Sequence, residues 1–315
     1  MNRREFLALG AYGIGAVVSS RWISLPLPGS PRRPLKFAAI TDLHHGLAPD
    51  ALTRLKAFVS DVSKHDDLDF TIQMGDFCYS QPASQECIDL FQTVHTPKLH
   101  VLGNHDMDKC DKSFAMSKWG MKARYGKFDF GDYQIITLDL NHFRKNHQLV
   151  PYANGNYFTD NAICNCADQE QLDWLGEALS NSKKPTLLFS HQPLGFAEPG
   201  QAIPNEQLEV LKVVTSAKRV NPAGAVVACF FGHLHVDRIE HYEGIPCLCL
   251  NSASYFWGGG MFAYSDPLYA FVEIDSGGNL AIHGRSGRFT KMPPASTDSV
   301  IGRSASLSDR KIKIL

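Results

Sequence analysis

The sequence predicts an α/β protein, a four-layer αββα sandwich of two mixed β-sheets flanked by helices. Three observations lead there. The front half alternates short apolar strands with helix-period segments in a βαβαβ run, which calls for a parallel sheet covered by helices. The back half is mixed α and β, then strand-rich with glycine turns, so a second sheet facing the first accommodates it. Finally, five short polar motifs each follow an apolar run, the position past a strand's carboxyl end where parallel units hold their ligands.

Taken in order, residues 36–41 form a first strand, and residues 50–64 a helix with Leu52, Leu55, Phe58, Val59 and Val62 at helical spacing. A strand at 69–74, a helix at 84–95 and a strand at 98–102 complete the run. Residues 128–136 read as a hairpin joined at Gly131-Asp132. Residues 140–166 are polar and irregular, too long for a plain connection, and such loops carry function. A helix capped by Asp168 runs to Leu179, followed by a strand at 186–189, a helix at 205–216 and a strand at 225–231. Residues 236–284 are strand-rich. The chain divides into 1–34, a domain over 35–285, and a polar peripheral tail over 286–315.

The first segment differs in texture from the rest. Asn2-Arg3-Arg4-Glu5-Phe6-Leu7 places paired arginines before a glycine-dotted apolar run, and Pro26, Pro28, Pro31 and Pro34 make a linker. It resembles a twin-arginine export signal, which implies a periplasmic or extracellular location, with anchoring if the segment is not cleaved. The net charge of -1 argues against an electrostatic nucleic-acid binder. The domain has no apolar stretch long enough to span a bilayer.

The eight cysteines leave the redox question open. Cys247 and Cys249 alternate along a strand and read as core residues, while a disulfide involving Cys164 or Cys166 fits an oxidising compartment.

The chemistry lies in the five motifs, Asp42-Leu43-His44, Gly75-Asp76, Gly103-Asn104-His105-Asp106, Ser190-His191-Gln192-Pro193 and Gly232-His233-Leu234-His235. Carboxylate, imidazole and amide oxygen are the donors that hard and borderline divalent metals take. Residues two apart on a strand point to the same side, so 42/44 and 233/235 each present two donors together.

In that order the motifs resemble the calcineurin-like metallophosphoesterase superfamily, which includes purple acid phosphatases and cyclic-nucleotide phosphodiesterases. The resemblance implies that Asp42, His44, Asp76 and His235 hold one metal and that Asp76, Asn104, His191 and His233 hold the other, with Asp76 bridging. It implies two ions of iron, manganese or zinc, and attack on phosphorus by a hydroxide between them. His105 would protonate the leaving oxygen or stabilise the transition state, and Asp106 would orient His105 through its second nitrogen.

Tyr79 follows Asp76 as in purple acid phosphatases, where that tyrosine ligates iron. His44 can fill the same position here, which leaves Tyr79 a packing residue. His45 points to the opposite side from His44. Asn141, His142, Arg144, Lys145 and His147 read as a solvated polar loop or as a phosphate-facing rim, and Tyr255-Phe256-Trp257 beside three glycines either packs against the second sheet or stacks a base or aryl group. The expectation is a phosphoesterase acting on a small phosphorylated substrate, with monoester, diester and diphosphate all open. A catalytically silent scaffold on the same fold is the alternative.

Overall fold

The computed structural model describes residues 32–197, 200–255, 262–291 and 304–315. From Arg32 onward these residues form one compact unit, and the export-signal expectation lies outside them.

Two six-stranded sheets carry the fold. The first has the order β14-β13-β12-β1-β2-β3, with β1 (Leu35–Ile40), β2 (Phe70–Gln73) and β3 (Lys98–His100) parallel. To β1's other side it adds β12 (Ala270–Ile274), β13 (Asn279–His283) and β14 (Arg310–Lys313), all antiparallel. The second has the order β10-β11-β9-β8-β5-β4. Its parallel centre is β5 (Tyr133–Thr137), β8 (Thr186–Phe189), β9 (Val226–Phe231) and β11 (Ile245–Cys249). The edges are β4 (Gly126–Phe130) and β10 (Arg238–Tyr242), both antiparallel.

Side-chain alternation sorts each central strand between two cores. In β1, Leu35, Phe37 and Ala39 face the second sheet, while Ala38 and Ile40 face the helices, so the strand is apolar on both faces. Between the sheets Phe37 meets Phe189 and Phe230 edge-on, with ring centroids 5.6 and 5.7 Å apart. Outside the first sheet lie α1 (Ala51–Val62), α2 (Gln85–Gln92) and α3 (Lys112–Trp119). Outside the second lie α4 (Gln169–Ser180) and α5 (Asn205–Val220). That is the four-layer sandwich the sequence predicts.

Three elements depart from the sequence reading. The α3 helix, which that reading passes over, is capped by Asp111 accepting from the Phe114 N–H at 2.8 Å and closed by Gly120 at φ 65°. Residues 140–166 are not wholly irregular, because β6 (His142–Lys145) and β7 (Gln148–Pro151) form a hairpin. Its two turn residues, Asn146 and His147, have φ of 49° and 64°, the mirror-image turn that suits strand twist. Asn-His in place of Asn-Gly, between polar flanks, hid it. The tail is also more than peripheral, since β14 closes the sheet edge and Ala305 and Leu307 are buried in the inter-sheet core.

Arg54 of α1 is buried and donates to the carbonyls of Ala253, Tyr264 and Asp266, fastening the loop beyond β11 to the first helical layer. All eight cysteines are free thiols, including Cys164 and Cys166, and Cys247 and Cys249 are buried in the core as expected. Among the described residues no helix is long and apolar enough to cross a membrane.

Candidate metal centre

Every ligand-type residue expected from the motifs sits just past the end of β1, β2, β3, β8 or β9, where the carboxyl ends of both parallel sheets meet. The seam is tight. A Cβ on Gly232 would lie 2.1 Å from the Thr41 hydroxyl and 2.3 Å from an Asp42 carboxylate oxygen. One on Gly103 would lie 2.1 Å from the Asp76 amide nitrogen and 2.2 Å from its carboxylate. Only hydrogen fits at either position, so both glycines set how closely the loops approach.

Two donor groups form at this seam, Asp42 with His44 and His235, and Asp76 with His191 and His233. In the first, the Nε2 atoms of His44 and His235 are 3.0 Å apart, and His235 Nε2 is 3.0 Å from Asp42 Oδ1. In the second, His191 Nε2 is 3.1 Å from Asp76 Oδ2, and His233 Nδ1 is 3.0 Å from Asn104 Oδ1 and 3.3 Å from His191 Nε2.

The donors fit a pair of transition-metal ions. Donors about 2.1 Å from one cation and roughly at right angles lie about 3 Å from each other, the spacing seen here, whereas the longer Ca²⁺ bonds would spread them. His191 Nδ1 meets the Met74 carbonyl at 2.9 Å, which fixes the tautomer that presents Nε2 to a metal. Burial pushes the His44 imidazole down to about 3 and His233 down to about 4, so both present lone pairs at neutral pH. Burial works to raise the carboxyls of Asp42 and Asp76, yet the histidines facing them hold both below the usual carboxylate range. Burial works to lower His191, but the charges of Asp76 and Asp42 push it up to about 9, so it carries a proton that a bound cation would displace.

Asp42 and His44 converge by a different geometry from that expected, and His233 and His235 do not converge but divide between the two groups. They are not on extended strands. Asp42, His44, Asp76, His233 and His235 have φ between 48° and 66°, five of the eleven non-glycine residues with positive φ among the described residues. Each such conformation costs on the order of 1 kcal/mol or more and persists where the surroundings impose it.

His105 lies beside the first group, its ring centroid 5.3 Å from that of His44. Its partner corrects the sequence reading. Asp106 does not orient it; that buried carboxylate accepts the backbone N–H groups of Phe77, Cys78 and Gly103 at 2.9, 3.2 and 2.8 Å, locking two ligand loops together. The residue on His105 Nδ1 is Asp108, at 2.7 Å. His105 opens a 3₁₀ turn, in which residues three apart eclipse, so the third residue on reaches the ring and the next one does not.

Tyr157 was also missed. Its hydroxyl donates to Asp108 and accepts from Asn104 Nδ2 at 3.3 Å, joining a ligand to the partner of His105. Nothing in its polar loop marked it. Burial works to lower the His105 pKa, but the hydrogen bond that His105 donates to Asp108 and the charge of Asp76 raise it overall.

The proposed phosphate-facing loop does not face the site. Asn141 is buried and donates to the Leu102 carbonyl, His142 is buried, Arg144 pairs with Glu209, Lys145 bonds Thr159, and His147 lies in the hairpin turn. Tyr79 lies with its ring over Gly46, and burial with the charges of Asp108 and Asp76 raises its pKa, so it packs beside the ligands as a neutral phenol. His45 turns away to the Ser84 hydroxyl, at 3.1 Å. Tyr255 is packed against Tyr264 and under Arg54, while Phe256 and Trp257 lie outside the described residues.

A sandwich with two such donor groups at its seam is the architecture of a binuclear metalloprotein. The chain belongs to the calcineurin-like phosphoesterase family, whose sequence profile matches residues 35–237, and members of this family use a dimetal centre. No curated protein matches it in sequence. Among solved structures it is similar to a dimetal phosphatase from Danio rerio, at 14% identity and TM-score 0.62 over 89% of this chain and 99% of that one. It is also similar to GAP50, the anchor in the inner membrane complex of Plasmodium, at 13% identity and TM-score 0.53 over 90% and 89%. At these identities the likeness is one of fold.

Gly103→Ala is expected to push the Asp76 loop out of register and to lower bound metal from about two ions per chain to one or fewer, as elemental analysis after reconstitution would show. Two ions retained at parent affinity would mean that the seam yields more than this packing suggests.

Proposed function

We propose that the protein is a binuclear metal-dependent hydrolase of a phosphate monoester, diester or diphosphate on a small substrate. The observation that carries this is the pairing of two convergent donor groups with an imidazole held at their edge by its own carboxylate. Iron, manganese or zinc held by Asp42, His44, His235, Asp76, Asn104, His191 and His233 would supply Lewis acidity toward the phosphoryl oxygens and an acidified water as nucleophile.

The rest is the work of side chains. Asp108 engages Nδ1 of His105 and favours its cationic form, so Nε2 is the atom that hands a proton to the departing oxygen. Tyr157 keeps Asp108 in place, and Asp106 holds the loops that carry Asp76 and Asn104 at a fixed separation. A silent scaffold would be marked by a lost ligand or a lost His105; the sequence keeps all seven donor-type residues and His105, which disfavours it. Export of the folded protein through the paired arginines of the first 34 residues fits this reading, because folding around the metals would precede export. Replacing Arg3 and Arg4 by lysine should leave the full chain in the cytoplasmic fraction, and unchanged export would remove that part of the proposal.

Full-length protein reconstituted in turn with manganese, iron and zinc should release product from p-nitrophenyl phosphate, bis-p-nitrophenyl phosphate or a nucleoside diphosphate-sugar. Asn104→Ala should lose most of that turnover, and the preferred substrate names the bond. Full metal loading with no turnover on any of the three would count against the hydrolase.

The pH profile tests His105 separately. A general acid works while protonated, so activity falls as pH rises through its pKa, and Asp108 raises that pKa. Asp108→Asn should therefore shift the alkaline limb of kcat/KM to lower pH, by about one unit. Asp106→Asn should lower metal occupancy and leave the limb in place; the reverse pattern would restore Asp106 as the partner.

A further inference from the structure

We propose that Phe158 forms a stacking wall for a planar aromatic leaving group, so that the enzyme prefers aryl or nucleoside phosphates to alkyl ones. This rests on the hydrolase reading above and adds the substrate class.

Phe158 is 67% exposed, the most open aromatic among the described residues, although a bare phenyl ring gains by burial. It is held in that position. Its N–H bonds the Gly155 carbonyl at 3.2 Å, the Gly155 N–H bonds the Met107 carbonyl at 3.1 Å, and the Asn154 N–H bonds the Cys110 carbonyl at 2.9 Å. The segment is thus fastened to the 3₁₀ turn that carries His105. Below it the ring rests on Tyr157, with centroids 4.3 Å apart, and Tyr157 is itself anchored on Asp108 and Asn104.

Phe158 therefore stands a fixed distance from the proton donor, 6.1 Å between ring centroids. A leaving oxygen within hydrogen-bond reach of His105 is about 3 Å from it. An aromatic ring on that oxygen, directed along the face of His105 that Phe158 borders, falls within the roughly 4.5–7 Å centroid range of offset or edge stacking on Phe158. A short alkyl group on the same oxygen reaches the ring with one or two carbons only. Tyr255 has no equivalent role, because it is already covered by Arg54 and Tyr264.

The test uses metal-loaded full-length protein, the Phe158→Ala and Phe158→Trp variants, and Phe128→Ala as a control for loss of an exposed ring on the outer edge strand. Turnover of p-nitrophenyl phosphate is compared with that of glycerol phosphate, and binding of phenylphosphonate with that of methylphosphonate by calorimetry. Phe158→Ala should lower the aryl-to-alkyl ratio of kcat/KM about tenfold, and the phenyl-to-methyl affinity ratio similarly, with Phe158→Trp restoring both. Because each ratio is taken within one variant, altered metal loading or folding cancels. Hydrolysis with both ratios unchanged in Phe158→Ala would overturn the stacking wall and leave the hydrolase intact. No phosphonate binding and no turnover in the parent would overturn the two together.

Discussion

Electrostatic crowding at the seam of the two sheets is the constraint on which the rest of this structure depends. Two ionised carboxylates and four imidazoles converge there with no water layer between them. Lone pairs about 3 Å apart repel unless a proton or a metal cation lies between them. The surrounding fold supplies the rest of the compensation, through backbone N–H groups given to Asp42 and Asp106, hydrogen at Gly103 and Gly232 in place of a side chain, and five residues held in left-handed conformations. Strain of that kind in one small region survives only where the sheets beneath are rigid on both faces, and the central strands are buried on both.

The rigidity is continued by a buried polar chain behind the site. Lys112 donates to Asp139 at 2.6 Å, Asp139 holds the Asn141 amide at 2.8 Å, and Asn141 donates to the Leu102 carbonyl and accepts from Gln192. Leu102 is two residues before Asn104, and Gln192 follows His191. The chain therefore ties a ligand loop of the first sheet to a ligand loop of the second through a single amide. Burial works against the Lys112 charge, and Asp139 opposite it makes the pair tolerable.

The fold, and the donor-type residues that meet at its seam, were legible in the sequence because both are written in local signals. Period-2 and period-3.6 patterns mark the layers, and the Asp, His and Asn of the five motifs are donor types whatever backbone holds them. What was not legible depended on backbone conformation. The separation of Asp106 from Asp108 in role follows from a 3₁₀ turn, and the convergence of 42 with 44 through left-handed φ values, like the division of 233 and 235 between the two donor groups, follows from backbone geometry that no strand pattern shows. The β6–β7 hairpin follows from a mirror-image turn built on Asn146 and His147 without glycine. Tyr157 belongs to the same class, since a tyrosine in a polar loop gains meaning only when the loop folds back on Asp108. Arg144 and Lys145, which looked like phosphate ligands by charge alone, are engaged by Glu209 and Thr159.

These two kinds of residue divide the work of the protein. The ligands come from strand ends of a doubly covered sandwich, where displacement of one loop would disturb both sheets, so the chemistry has little freedom to vary. Asp108, Tyr157 and Phe158 come from the 3₁₀ turn and from the segment after β7, outside the sheets, where length and side chains can change without disturbing either core. On the proposed reading, contacts to the leaving group would therefore fall to the segment least constrained by the fold. A change of substrate on this scaffold would be expected first between residues 140 and 166, with the seam itself unaltered.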